Sequence, residues 1–425
     1  MIEINRYILP NGLRILHHYD ATTRMTALNL LYDVGSKDEN PERTGFAHLF
    51  EHLMFGGSVH IPDFDTPLQK AGGENNAWTS NDITNYYTVV PTHNAETAFW
   101  LESDRMESLA FSTKSLEVQK NVVIEEFKQR NLNAPYGDVG LLLRPVAYQV
   151  HPYRWPVIGK DPSHIADASM TEVKDFFYRH YAPNNAILAI SGGLPWDETL
   201  RLCEKWFAPI SRREIMPRHL PEEPRQTEPR HIEVERDVPS DLLVKAYHMG
   251  RRTDEDYHAC DILSDLLASG NSSRFYRHLV TERKLFTEAD ASISGDIEAG
   301  LFLIRGKLAP GISFEQGEQA IAEELARLQD EPVTDIELQK VVNRFESNDL
   351  FSNMNYLNRA SNLAYYELIG QAEDINTENE KYRKIKPENL KDTARALFCE
   401  NNSTTLRYHA KKKEMQMSFD PPPLD

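Results

Sequence analysis

Apolar residues at Phe46, Leu49, Phe50, Leu53, Met54 and Phe55 cover most of the circumference of a helix in the stretch AHLFEHLMFGG, Ala47–Gly57. A helix apolar on nearly every side belongs in a core, and the Gly56-Gly57 pair marks its end. Three polar positions break the pattern: His48, Glu51 and His52. Burying a carboxylate and two imidazoles costs several kcal/mol unless each finds a partner, so packing alone does not account for this helix.

Elsewhere the pattern switches between strand and helix periods. Arg6–Leu9 and Leu13–His17 read as a hairpin joined by Pro10-Asn11-Gly12. TALNLLYDVGS, Thr26–Ser36, and NAILAIS, Asn185–Ser191, read as further strands, with helical periods dominating between them. Without a short βαβ rhythm, this order predicts an α+β fold of α/β-layered domains, mainly antiparallel sheet covered by helices.

The second half repeats pieces of the first. VKDFFYRHYAPNN (Val173–Asn185) matches LKDTARALFCENN (Leu390–Asn402) without a gap, LYDVGSKDE (Leu31–Glu39) parallels AYHMGRRTD (Ala246–Asp254), and EVQK at Glu117 recurs as ELQK at Glu337. Three matches in order at nearly constant offset indicate a duplicated unit. Between the copies, SRREIMPRHLPEEPRQTEPR (Ser211–Arg230), with its four prolines and dense mixed charge, reads as an extended surface linker. The expected organisation is a first domain over 1–210, a linker over 211–230 and a second domain over 231–425. Carried across, His48, Glu51 and His52 fall on Leu263, Leu266 and Leu267. The second copy keeps the helix with leucine in all three places, so the fold itself does not require the polar trio.

Composition narrows the function. Hydrophobic residues make up 40% and charged residues 26%, a folded chain rather than a disordered one. A formal charge of −18, from 65 acidic and 47 basic residues, leaves no basic excess to neutralise phosphates and argues against a nucleic-acid partner. Cys203, Cys260 and Cys399 form no disulfide framework and no C-x-x-C pair, and read as buried reduced thiols. The first twenty residues show no charged-then-apolar leader, and no apolar run is long enough to span a membrane. A cytoplasmic location is expected, or a periplasmic one if a leader has been removed.

On a helix, His48 and His52 project from one face and can chelate a single ion. Glu51 lies beside them without being needed as a ligand, where a carboxylate can take the proton of an attacking water. The order H-x-x-E-H is the inverted zinc-peptidase pattern. A catalytic zinc takes a third protein ligand. In SLEVQKNVVIEEFKQRN (Ser115–Asn131) a helical stripe of Leu116, Val122, Val123 and Phe127 places Glu126 near the core, while Glu125 points about 200° from Val123 into solvent. Glu126 is therefore the candidate third ligand.

With these residues in place, the sequence resembles the pitrilysin-type, or inverzincin, zinc metallopeptidases, in particular their short bacterial relatives of the mitochondrial processing peptidase. The resemblance covers essentially the whole chain: the Pro-Asn-Gly hairpin, the H-x-x-E-H helix, the downstream Glu-Glu helix, the Asn-Asn strand and the degenerate second copy. It implies two homologous domains forming half of a clamshell, one zinc held by His48, His52 and Glu126, and Glu51 as the base that activates water. It also implies that GGENNAWTSNDITNYY (Gly72–Tyr87) carries an edge strand which the substrate joins, with Asn76, Ala77 and Thr79 as substrate-binding positions; an added strand binds sequence-tolerantly through its main chain.

Two departures stand out. Where the family often has a glutamate seven positions before the ligand, this chain has Gln119; and where active relatives carry an arginine and a tyrosine that hold substrate, Val280 and Thr287 align here. The resemblance thus implies a zinc-bearing subunit whose homologous partner supplies the clamp, with a homodimer as the other arrangement. The expected activity is endopeptidase action on unfolded peptides in a closed chamber. A non-catalytic scaffold or peptide-binding subunit is the alternative, and hydrolysis of a non-peptide substrate a third reading, disfavoured by the strand-like NNAWTS.

Overall fold

The computed structural model describes residues 1–411; the end of the expected second domain, 412–425, lies outside the described residues. Eleven strands form two sheets among the described residues. The first contains β1 (Asn5–Ile8), β2 (Arg14–Tyr19), β3 (Met25–Tyr32), β4 (Glu74–Thr79), β5 (Thr84–Pro91) and β6 (Ala186–Gly192), in the order β1-β2-β6-β3-β5-β4. The second contains β7 (Arg230–Arg236), β8 (Leu242–His248), β9 (Phe286–Ile293), β10 (Leu301–Leu308) and β11 (Ser403–Ala410), in the order β7-β11-β8-β10-β9. Setting aside β1, each sheet orders its strands first, last, second, fourth, third. In each the first and last pair in parallel while the other pairs are antiparallel. The helices obey the sequence offsets too: Met170–His180 and Pro387–Leu397 stand at equivalent places.

The two halves exchange covers. One face of the first sheet packs on helices Phe46–Leu53, Ala95–Glu107 and Met170–His180 of its own half. Its other face, through Leu16, Ala27, Leu31, Ile187 and Ala189, is sealed by Ala360, Leu363 and Ala364 on helix Tyr356–Ile369 from the second half. Conversely, Val139, Leu143 and Ala147 on helix Val139–Ala147 of the first half pack on Leu242, Val244, Ala246 and Leu406 of the second sheet. β3 and β6 are consequently buried on both faces, which explains their nearly unbroken apolar runs. The chain has the α+β, two-domain architecture expected.

Details differ from the sequence expectation. β3 ends at Tyr32 rather than Ser36 because the backbone bends to meet the β4–β5 turn: Ser36 N–H donates to Ser80 O at 3.2 Å and Lys37 N–H to Asn81 O at 2.9 Å. A Cβ at Gly35 would lie 2.4 Å from Asn81 O, so only glycine permits that approach. The linker runs along the surface without regular structure before β7 begins, but it is tied down. Arg218 pairs with Asp33 and Asp38, the Glu223 carboxylate accepts from the backbone N–H groups of Gln149, Val150 and His151, and Gln226 donates to Ser403 O at 2.7 Å. Cys203 and Cys260 are buried as expected, while Cys399 is exposed, lying just past the end of Pro387–Leu397 where the helix no longer covers it.

Candidate metal centre

The helix Phe46–Leu53 is held at both ends. Gly45 enters it with φ +91, and a Cβ there would lie 2.8 Å from Ile158 O. Gly45 N–H and Ala47 N–H donate to the two carboxylate oxygens of Glu39 at 2.8 and 2.9 Å, satisfying donors that a helix start leaves free. Burial pushes the Glu39 carboxyl up to about 8 despite those two hydrogen bonds. Downstream, Phe50 stacks on Phe176 at 5.3 Å between centroids, and the Tyr86 hydroxyl donates to Phe50 O at 3.1 Å. The helix stops at Leu53, earlier than Gly57, as Met54 and Phe55 turn into the glycine pair.

The second helix runs Thr113–Phe127 and then loosens into a π-turn over Lys128–Asn133. Its buried stripe is Leu116, Lys120, Val123 and Phe127; Val122, expected in that stripe, is 43% exposed. Val118, Val122, Glu126 and Arg130 instead share one row at i, i+4 spacing. Glu125 faces solvent and pairs with Lys128, as its angular position predicts. Gln119 is half-buried on the same helix.

Glu126 Oε2 lies 3.7 Å from His48 Nε2 and 3.4 Å from His52 Nε2, and neither pair is hydrogen-bonded. The three side chains bring one ligand atom each within 4.8 Å of one another. Two bonds of about 2.0–2.1 Å at a tetrahedral ion span about 3.4 Å between ligand atoms, so these separations and this two-imidazole, one-carboxylate donor set fit zinc. Burial, with smaller contributions from His52 and Arg130, pushes the His48 imidazole down to about 3; it is neutral, the form that ligates metal. The other oxygen of Glu126 forms an ion pair with Arg130 at 2.7 Å.

Glu51 is half-buried, and burial raises its carboxyl above the usual range, opposed first by the hydrogen bond from Thr79. The Thr79 hydroxyl donates to Glu51 Oε2 at 2.7 Å. Thr79, expected to meet substrate, thus spends its hydroxyl on the base. β4 is the outermost strand of its sheet, with Asn76 exposed and its Oδ1 accepting from Ala77 N–H at 2.8 Å. In the second half, Leu263, Leu266 and Leu267 lie buried in the core where the first half has His48, Glu51 and His52. Among the described residues a second His-and-acid group, His60, Asp104 and Glu107, also converges; there His60 simply hydrogen-bonds Asp104 at 2.6 Å at the surface.

Sequence reasoning missed Arg130 and the part Thr79 plays. The first was open to discovery as an acid–base pair four residues apart on a helix; the second depends on a side chain reaching across from a strand.

Comparison with known proteins identifies the family and the fold. Residues 14–159 match the family profile described as insulinase, peptidase family M16, and residues 167–345 match the one described as the peptidase M16 inactive domain. The chain is 27% identical over 406 residues to the zinc protease PqqE of Helicobacter pylori, covering 94% of this chain and 91% of that protein. The crystal structure of a protease from Helicobacter pylori superposes with a TM-score of 0.89 at 26% identity, over 96% of this chain and 100% of the other. The periplasmic protease PqqL of Escherichia coli shares the fold, with a TM-score of 0.78 at 17% identity, over 97% of this chain but 48% of PqqL. Among the described residues no helix is long and apolar enough to cross a membrane. A duplicated α+β fold, an H-x-x-E-H helix facing a distant glutamate and two matching profiles lead to one conclusion: the chain belongs to peptidase family M16.

Proposed function

We propose that this chain is a zinc-dependent endopeptidase acting on unfolded peptides, and the catalytic subunit of a two-subunit enzyme. The observation that carries the reading is the meeting of His48, His52 and Glu126 around one point, on a helix that also presents Glu51. Zinc held by those three supplies Lewis-acid polarisation of the scissile carbonyl and lowers the pKa of an adjacent water. Glu51 takes the proton of the attacking water and returns it to the leaving amine. Thr79 occupies Glu51 Oε2, which leaves Oε1 for that transfer. The substrate adds as a strand along the open edge of β4, beside Asn76 and Ala77, and main-chain hydrogen bonds hold it without regard to sequence. Confinement in a chamber restricts the substrates to unfolded segments.

Val280 and Thr287 stand where the clamp residues are expected, so a homologous partner or a second copy supplies them; that PqqL has about twice this chain's length supports a second unit of like fold. The proposed units are 1–210, the strap 211–230 and a second, non-metal-binding copy from 231. The compartment in which it works is proposed to be the cytoplasm, or the periplasm if a leader has been removed. A non-catalytic scaffold has no need of the base, and Glu51→Gln decides between the readings. The variant is expected to keep its zinc and lose peptide cleavage by about 10²–10⁴-fold; cleavage at the wild-type rate contradicts the mechanism.

A further inference from the structure

Ligands at a metal centre are normally oriented by the groups they bond in turn. Here that outer layer is sparse. His48 Nδ1 is buried without a hydrogen-bond partner, and no hydrogen bond from His52 is found among the described residues. Glu126 alone is engaged from outside: Arg130 NH1 meets Oε1 at 2.7 Å, while Oε2 faces the two imidazoles. While that ion pair holds, Oε1 is kept toward Arg130 and Oε2 stays facing the two imidazoles.

Arg130 is itself built in. It lies on the π-turn Lys128–Asn133, one of two π segments among the described residues, a local widening frequent at functional sites. The loop that follows folds back on the turn: a Cβ at Gly137 would lie 2.1 Å from Arg130 O, so glycine is required for that approach. The preceding residue, Tyr136, adopts φ +62 and donates its hydroxyl to Ser240 O of the second half at 2.8 Å. A non-glycine residue at positive φ needs surrounding structure to hold it. The backbone carrying Arg130 is thereby anchored to the β7–β8 turn, while its guanidinium, 71% exposed, reaches the centre from the solvent side.

We propose that Arg130 is the positioning residue of the metal centre: it fixes Glu126 in its ligating orientation and so sets how tightly the metal is held. This rests on the zinc reading of His48, His52 and Glu126. Removing a positive charge near a cation acts in the opposite direction, but over a longer, solvent-exposed path, whereas the ion pair to Oε1 is a direct contact at 2.7 Å, and loss of orientation prevails.

The test is zinc affinity, measured on the full chain by competition with a chromogenic chelator, alongside melting of the metal-free protein. Arg130→Met keeps the stem and removes the charge; it is expected to weaken zinc binding by about 10–100-fold with the metal-free melting temperature unchanged. Arg130→Lys, which restores the positive charge, should recover part of the loss. A wild type that binds zinc while Arg130→Met matches it within about twofold overturns the role of Arg130 and leaves the zinc reading standing. No recovery in Arg130→Lys also overturns it. A wild type that takes up no zinc overturns both.

Discussion

Glu51 and its neighbours show how one helix serves both packing and chemistry. Leu49, Phe50 and Leu53 face the core, and the polar residues occupy the side toward Glu126 and β4. Replacing Thr79 by valine keeps the shape and removes the hydroxyl that holds Glu51 Oε2. The expected result is unchanged zinc content with kcat for peptide hydrolysis lowered by about tenfold, a single hydrogen bond to a charged group being worth roughly 1.5–3 kcal/mol; an unaltered kcat means that Thr79 does not orient the base. His52→Ala should release the zinc altogether, and a variant that retains it stoichiometrically contradicts the ligand assignment. At this scale much was legible. The four-residue spacing put both imidazoles on one face, and the angular position of Glu126 separated it from Glu125. Thr79 and Arg130 were not read because their roles depend on where side chains end, which helix and strand periods do not specify.

Elements were legible as units and illegible as partners. The constant sequence offset announced two copies, and both sheets have the same strand order. Nothing in the amphipathic pattern of Tyr356–Ile369 said that it would seal the sheet of the other half, because a helix period defines an apolar face and not what that face meets. The same holds for Val139–Ala147, and for the strap, whose prolines and charges suggested solvent while Glu223 and Gln226 bind backbone groups of both halves. The exchange makes the second half a structural requirement of the first. Leu363, fully buried against the first sheet, tests this: Leu363→Ala should cost about 2–5 kcal/mol in urea unfolding. A loss well under 1 kcal/mol, or separate unfolding of the two halves in the wild type, means that the exchanged helices do not unite them.

At the scale of the whole molecule, ion pairs, one half-buried and one buried, link distant segments and set part of the response to acid. Hydrogen bonds from Thr22 and Arg359 lower Asp20 to about 2, tying the end of β2 to Tyr356–Ile369. Burial opposes ionisation of Glu378, but the His258 hydrogen bond and the Arg252 charge outweigh it and bring the carboxyl to about 2. Both pKa values are depressed on folding, so the stabilisation is present above the unfolded values of 3.8 and 4.5 and is lost as pH falls through them toward 2. The melting temperature should therefore drop steeply in that window, and Arg359→Met should flatten part of the drop; an equal acid response in the variant shows the pair does not contribute. On the same scale, the proposed division of labour predicts that the chain gains activity when mixed with a clamp-bearing homologue, and full activity of the isolated monomer refutes it.

The proposed chemistry depends on a single cation shared by the helix near the amino end and the carboxylate of Glu126. Anomalous diffraction at the zinc absorption edge, from crystals of the full chain, measures this directly. One strong peak is expected about 2.0–2.2 Å from His48 Nε2, His52 Nε2 and Glu126 Oε2. Density for zinc elsewhere, or none there after saturation with the metal, contradicts it.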